Sequence, residues 1–77
     1  MTPTEWLQAA PVGSRIVVRY LLPDGRATDA LGVLSGRDAV HVVVETKRGP
    51  ETVPLGAVIA AKQVPPPPVS RHRATRL

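Results

Sequence analysis

The stretch SRIVVRYLL at residues 14–22, followed by PDG at residues 23–25, decides the fold class. From Ile16 to Leu22 every second residue is large and apolar, and the opposite face of the stretch carries Arg15 and Arg19. This alternation, rich in β-branched residues, is typical of a strand with one buried face. In the turn that follows, proline presets φ, aspartate bonds to nearby backbone and glycine accepts positive φ. The stretch therefore predicts a β-strand that ends in a hairpin turn.

Short apolar runs separated by turn residues continue to residue 64 and predict four more strands. The predicted strands span residues 28–34, 39–46, 51–54 and 58–64, with turns at 35–38 and 47–50 and a 3₁₀ turn at 54–57. Gly32 interrupts the second strand, where a bend of the sheet is the favoured explanation. We expect an all-β, five-stranded SH3-like barrel whose closure hides its strand edges. The predicted core consists of Ile16, Val18, Leu34, Val42, Val44, Val53 and Ile59.

The N-terminus carries the signature of a helix start. Thr2 is placed as the N-cap, Pro3 occupies the first helical position, and Glu5 stands at the capping-box position. A short helical turn over residues 3–9 is predicted. Trp6 would anchor this turn on the barrel, and the alternative is that its indole stacks on a ligand.

The C-terminal segment differs in composition from the rest. Residues 65–68 are four prolines, which predict a polyproline II spacer about 12 Å long. Residues 69–77 are polar and basic, so disorder is expected there. We predict a barrel domain at residues 1–64 and a Pro-rich linker with a basic tail at residues 65–77.

The net charge of +4 comes mostly from this tail. Residues 1–64 contain seven cationic and six anionic side chains, so the predicted domain is nearly neutral. The remaining positive charges are Arg71, Arg73 and Arg76. If the chain binds nucleic acid, we expect weak, sequence-independent and salt-dependent binding through these tail arginines.

Several classes of site lack the residues they need. The chain has no cysteine, and its two histidines, His41 and His72, are far apart, so no metal site and no cofactor are predicted. No nucleophile lies near a plausible base in the sequence, and no phosphate-binding loop is present. The apolar runs are too short to span a membrane, and the start of the chain lacks the basic residues of a secretory signal. We therefore predict a cytoplasmic protein that is not itself an enzyme.

A modest basic strip around the first hairpin is the one candidate contact surface. It consists of Arg15, Arg19 and Arg26, and the alternative is that these arginines form an ordinary solvated face. The chain has only two large aromatic residues, Trp6 and Tyr20. This shortage argues against a surface that stacks nucleic-acid bases or grips a proline-rich peptide.

One family resemblance covers about residues 11–68. Its segments are PVGSRIVVRY at residues 11–20, LPDG at 22–25, TD at 28–29, LGVL at 31–34, VP at 53–54 and AAKQVPPPP at 60–68. Together they resemble the N-terminal SH3-like domain of actinobacterial acetyltransferases of the GNAT family. The resemblance implies a barrel that precedes an acetyl-CoA-dependent catalytic domain, joined to it by the proline run. The acetyl-CoA-binding loop of those enzymes has no match here, so no catalytic or cofactor residue is carried over.

These observations leave three interpretations of function. The favoured one is a non-catalytic accessory or interaction module for an attached or partner acetyltransferase domain. The alternative is a stand-alone barrel with weak nucleic-acid binding through its tail. A small regulatory enzyme subunit is the third, for which the sequence offers no site.

Overall fold

In the computed structural model, which describes residues 1–65, the chain forms one short helix and five antiparallel strands. The elements are α1 (Pro3–Ala9), β1 (Arg15–Leu21), β2 (Ala27–Arg37), β3 (His41–Thr46), β4 (Gly49–Pro54), a 3₁₀ helix (Leu55–Ala57) and β5 (Val58–Gln63). They build a single sheet in the order β4-β3-β2-β1-β5. The predicted all-β class, the short N-terminal helix and the 3₁₀ turn before the last strand are confirmed. The predicted linker and tail lie outside the described residues apart from Pro65.

One face of the sheet and the helix enclose a wholly apolar core. The fully buried side chains alternate along the strands, as the sequence pattern requires for a sheet with one inward face. Six of the seven predicted core residues are buried, and the helix adds a seventh large side chain, Leu7. The core consists of Leu7, Ala10, Ile16, Val18, Ala30, Leu34, Val42, Val44, Val53 and Leu55.

Ile59 is the one predicted core residue that lies outside, with 46% of its surface exposed. The cause is a bulge between β1 and β5. Arg19 pairs with Ala60, whereas Tyr20 pairs with Val58, so Ile59 is an extra residue without a partner. An extra residue reverses the alternation of faces beyond it. Val58 therefore packs against the core, and Ile59 does not.

A second bulge corrects the predicted turn at residues 35–38. Leu34 pairs with Val44 and Gly36 with Val43, so Ser35 is the extra residue and β2 continues to Arg37. The turn comes later, where the Asp38 carboxylate accepts hydrogen bonds from the backbone N–H groups of Val40 and His41 at 2.8 and 2.7 Å. As a result β3 begins at His41 rather than at residue 39.

Gly32 is required by a close approach of two backbones, not by the bend that the sequence favoured. A Cβ atom at this position would lie 1.9 Å from the carbonyl oxygen of Glu45 and 3.1 Å from the Cα of Thr46. No real side chain tolerates such a distance. Glycine therefore lets the end of β3 pass directly over β2.

No hydrogen-bonded ladder joins β4 to β5 among residues 1–65, so the expected closure of the barrel does not hide every strand edge. Strand β4 is poorly suited to such a ladder. The N–H of Leu55 donates to the Val40 carbonyl at 2.8 Å, so by alternation the amides of Pro50, Thr52 and Pro54 point away from β3. Proline has no N–H, so Thr52 alone offers a donor on that side. The barrel thus keeps two edges, β4 and β5.

Helix α1 is fixed at both ends by side chains. Thr2 and Glu5 form the predicted capping box, with hydrogen bonds of 3.0 and 3.1 Å. No basic residue stands in the last turn of the helix. Instead, Arg37 at the end of β2 donates to the carbonyl oxygens of Leu7 and Ala10. A guanidinium at the C-terminus satisfies free carbonyls and complements the negative end of the helix dipole.

Candidate functional site

Two of the predicted contact residues, Arg15 and Arg19, lie on the outer face of β1. They flank Val17 on that face, while Ile16 and Val18 point into the core. Arg19 faces Asp29 across the β1–β2 ladder, and the two side chains form an ion pair of 3.3 Å. Both are about half exposed, so this pair contributes at most about 1 kcal/mol to the free energy of unfolding. No carboxylate among residues 1–65 lies within 4.0 Å of the Arg15 guanidinium.

The third predicted residue, Arg26, lies in the hairpin turn beyond the end of β1. Its Nε donates to the Asp24 carboxylate at 2.8 Å, and its backbone N–H donates to the same carboxylate at 3.0 Å. The predicted basic strip is therefore interrupted, because Asp29 and Asp24 neutralise two of its three arginines. The other predicted contact residues, Arg71, Arg73 and Arg76, lie outside the described residues.

The same outer face exposes apolar side chains that the sequence analysis did not single out. Val17 pairs with Leu31, and Val33 lies beside Leu31 on the same face of β2. Leu31 and Val33 are 48% and 38% exposed. We call Val17, Leu31 and Val33 the outer apolar strip. A signal was present in the sequence, because the run ALGVL at residues 30–34 is apolar on both faces of its strand, which a half-solvated strand does not need.

Shallow depressions flank this strip on both sides. One, of about 300 Å³, is lined by Leu31, Val33, Arg15 and residues at the β3–β4 turn. The other, of about 310 Å³, lies over β5 and is lined by Val17, Arg19, Asp29, Ala60, Ala61 and Lys62. The surface thus has an apolar centre and a charged rim, which is the usual arrangement of a protein–protein interface.

Neither depression is lined by a group of side chains placed to hold a metal ion. Within residues 1–65 no polar or charged residue is buried, and no group of three or more His, Asp or Glu side chains is placed to hold a metal ion. In the same part of the chain, no helix has the length and apolar character needed to cross a bilayer.

The Tyr20 side chain forms a hydrogen bond within the domain. Its hydroxyl donates to Oε1 of Glu51 at 3.1 Å, linking β1 to β4 across the open side of the barrel. Burial, and then the hydrogen bond to Glu51, raise the pKa of the Tyr20 hydroxyl. Trp6 packs partly buried against the core, in agreement with the anchoring role predicted for it.

The turn at Asp38 gives the domain a pH-dependent element. Hydrogen bonds from the Val40 and His41 amides lower the pKa of the Asp38 carboxyl below its ordinary value. A carboxyl with a lowered folded-state pKa stabilises the fold above its unfolded-state pKa, and loses that contribution as the pH falls through the folded-state pKa. We expect Asp38→Asn to lower Tm at pH 7 and to reduce the loss of Tm between about pH 5 and pH 2. Thermal unfolding followed by circular dichroism checks this.

The matched control is Asp24→Asn in the first hairpin turn. The Asp24 carboxylate accepts one backbone hydrogen bond, from Arg26 at 3.0 Å, whereas Asp38 accepts two. We expect its acid profile to follow that of the unmodified chain more closely than the Asp38→Asn profile does. Identical acid profiles for Asp38→Asn and the unmodified chain would show that this turn does not sense pH.

A comparison with known protein families shows the family to which the chain belongs. The family model described as the Rv0428c N-terminal Sm-like domain matches residues 10–62. The chain belongs to this family. The match runs from the end of α1 to the penultimate residue of β5, and so includes the whole outer apolar strip. Among curated proteins and solved structures, neither comparison found a match.

Membership in this family establishes a small Sm-like β-domain, which corresponds to a small accessory or interaction module. The description names an Sm-like domain where the sequence suggested an SH3-like one. The acetyltransferase association implied by the sequence resemblance goes beyond this description.

Proposed function

We propose that this domain is the non-catalytic N-terminal module of an acetyl-CoA-dependent acetyltransferase of the GNAT type, and that it docks on the catalytic domain through the outer apolar strip. The observation that carries the proposal is the strip itself. Leu31 and Val33 expose apolar surface side by side on β2, the central strand of the sheet. Apolar surface at the middle of a charged rim is the pattern of a contact site for another protein.

Two further observations support this partner. The sequence resemblance at residues 11–68 is to domains that stand before an acetyltransferase domain, and the family is itself described as an N-terminal domain. The described residues, moreover, hold no group of three or more His, Asp or Glu side chains placed to bind a metal ion. The catalytic domain is either attached or a separate partner chain. Acetyl-CoA as the partner's cofactor and the absence of cysteine both favour a cytoplasmic location.

The direct test begins with the gene. We expect an acetyltransferase domain to be encoded after Leu77 in the same reading frame or in a neighbouring one. That domain is produced and titrated into the ¹⁵N-labelled 77-residue chain. Amide shifts are expected at Val17, Leu31 and Val33, whereas acetyl-CoA alone is expected to produce no saturable shifts.

A matched pair of variants locates the contact. Val33→Ser removes apolar surface from the strip and is expected to weaken binding about tenfold, which corresponds to about 1.4 kcal/mol. Val40→Ser makes the same change at an exposed position in the β2–β3 turn and is expected to leave the affinity unchanged. Absence of an encoded acetyltransferase domain, or equal effects of the two variants, would overturn the proposal.

The nucleic-acid alternative rests on the tail, which lies outside the described residues. On the described surface, the ion pairs of Arg19 and Arg26 reduce the positive charge that phosphate binding requires. Tight binding of duplex DNA by residues 1–65 alone would therefore favour a nucleic-acid-binding domain over the docking module.

A further inference from the structure

The free edge of β5 carries unused backbone groups. The N–H of Val64 donates to the Arg15 carbonyl at 2.9 Å. Because an antiparallel strand alternates the direction of its amides, residues 60 and 62 point toward β1, whereas Ala61 and Gln63 point outward. Strand β5 has no neighbour other than β1 in the sheet of residues 1–65. The outward groups of Ala61 and Gln63 thus have no strand partner among residues 1–65.

The two edges of the sheet differ in their ability to pair. Pro50 and Pro54 remove two of the three outward amides of β4, and proline on an edge strand is a common protection against pairing. Strand β5 contains no proline, and four of its six residues are exposed: Ile59, Ala60, Lys62 and Gln63. Helix α1 packs beside β5, but only Val58 and Ala61 of this strand contact the core. Of the two edges, β5 is therefore the one that keeps its outward N–H groups.

The side chains of β5 favour pairing with β5 of a second copy of the chain, in one particular register. Lys62 is the sole charged residue of the strand. If two β5 strands pair about a two-fold axis with Ala61 opposite Ala61, the outward amides face each other and each Lys62 lies opposite an Ala60. The register that places Lys62 opposite Lys62 sets like charges directly across the ladder, which is unfavourable. In the register with Ala61 opposite Ala61, two copies of β5 therefore pair without placing like charges opposite each other.

The depression over β5 fits this arrangement. Ala60 is small and lines this depression together with Lys62 and with Arg19, its partner across the β1–β5 ladder. The aliphatic stem of Lys62 from a second copy would lie across Ala60 and cover that space. The ion pair between Arg19 and Asp29 at 3.3 Å reduces the repulsion that a free Arg19 would exert on the incoming ammonium group.

We propose that β5 pairs antiparallel with β5 of a second copy of this chain, with Ala61 opposite Ala61, to form a two-fold symmetric dimer with a continuous ten-stranded sheet. Because the proline-blocked β4 is a poor partner for β5, head-to-tail growth is disfavoured and assembly stops at two copies. A single pair of six-residue strands buries a small area, so the dimer is weak and forms in the micromolar to millimolar range. This inference does not depend on the acetyltransferase proposal.

The experiment is sedimentation velocity of the full chain over a concentration series from about 20 µM to about 1 mM, a range that detects association free energies near −4 to −6 kcal/mol. We expect a monomer–dimer equilibrium without larger species. Ala61→Pro removes an outward amide without touching the β1 ladder, and it should keep the chain monomeric throughout. Thr52→Pro makes the same change on the β4 edge, where it removes the last outward donor, and it should leave the dimer intact.

A second measurement covers the case in which Ala61→Pro fails to fold. In the unmodified chain, hydrogen exchange of the Ala61 amide should slow as concentration rises, whereas that of the Thr52 amide should not. Any one of three results would overturn the proposal. The first is a chain that stays monomeric to about 1 mM. The second is a dimer that Thr52→Pro abolishes and Ala61→Pro does not, and the third is hydrogen exchange at Ala61 that is independent of concentration.

Discussion

Replacement of Gly32 by alanine is expected to unfold the domain at ordinary temperature. The added Cβ would lie 1.9 Å from the Glu45 carbonyl oxygen and 2.7 Å from its carbonyl carbon. Both atoms belong to backbone, so no side-chain rotation relieves the contact and β3 must separate from β2. Overpacking against movable side chains costs about 1–3 kcal/mol, and a rigid backbone clash should cost more. Such a loss is comparable with the total free energy of unfolding of a small domain, about 5 kcal/mol.

Gly36→Ala is the control for this prediction. Gly36 lies in the same strand, next to the bulge at Ser35, and a Cβ there meets no atom within 4 Å. We expect its free energy of unfolding to stay within about 0.5 kcal/mol of that of the unmodified chain. Urea unfolding followed by circular dichroism compares the two variants. A folded Gly32→Ala variant with unchanged stability would show that β2 and β3 are farther apart than described.

Leu7→Ala should produce the second large loss. Leu7 is the fully buried residue of α1 and packs into the core formed by the strands. Truncation of a buried leucine costs about 2–5 kcal/mol, because burial is lost and a cavity remains. Denaturant titration measures the change, and the fluorescence of Trp6, the only tryptophan of the chain, reports whether the helix stays docked.

Leu31→Ala makes the same chemical change on the outer apolar strip, where the side chain is 48% exposed. We expect a change within about 1 kcal/mol, since a surface truncation leaves no cavity. If Leu7→Ala and Leu31→Ala destabilised the chain equally, the helix would not contribute to the core as described.

The parts of the fold that depend on local pattern were predictable. Thr2, Pro3 and Glu5 sufficed to define α1, because a capping box involves residues only three positions apart. The inward faces of β1, β3 and β4 followed from alternation within each strand. Bulges were not predictable in the same way. The extra residues Ser35 and Ile59 are defined only by the partner strand, so the pattern of one strand could not reveal them.

The candidate surface was predicted only in part, for a related reason. The charges of Arg15 and Arg19 are visible in the sequence, but the register that brings Asp29 opposite Arg19 is a property of the paired strands. Apolar residues on a strand are read first as core residues. Leu31 and Val33 could be recognised as surface only when Ala30 and Leu34 were known to occupy the interior.

The pairing of β1 with β5 also dictates an order of events during synthesis. Strand β1 is made first, yet its second neighbour is completed only at Gln63, more than forty residues later. Neighbouring hairpins can form as they leave the ribosome, whereas this non-local ladder must wait and closes slowly. Until then β1 is itself an unprotected edge and Leu7 lacks the strand beside which its helix packs. A nascent chain paused before residue 58 would therefore be the species most exposed to aggregation.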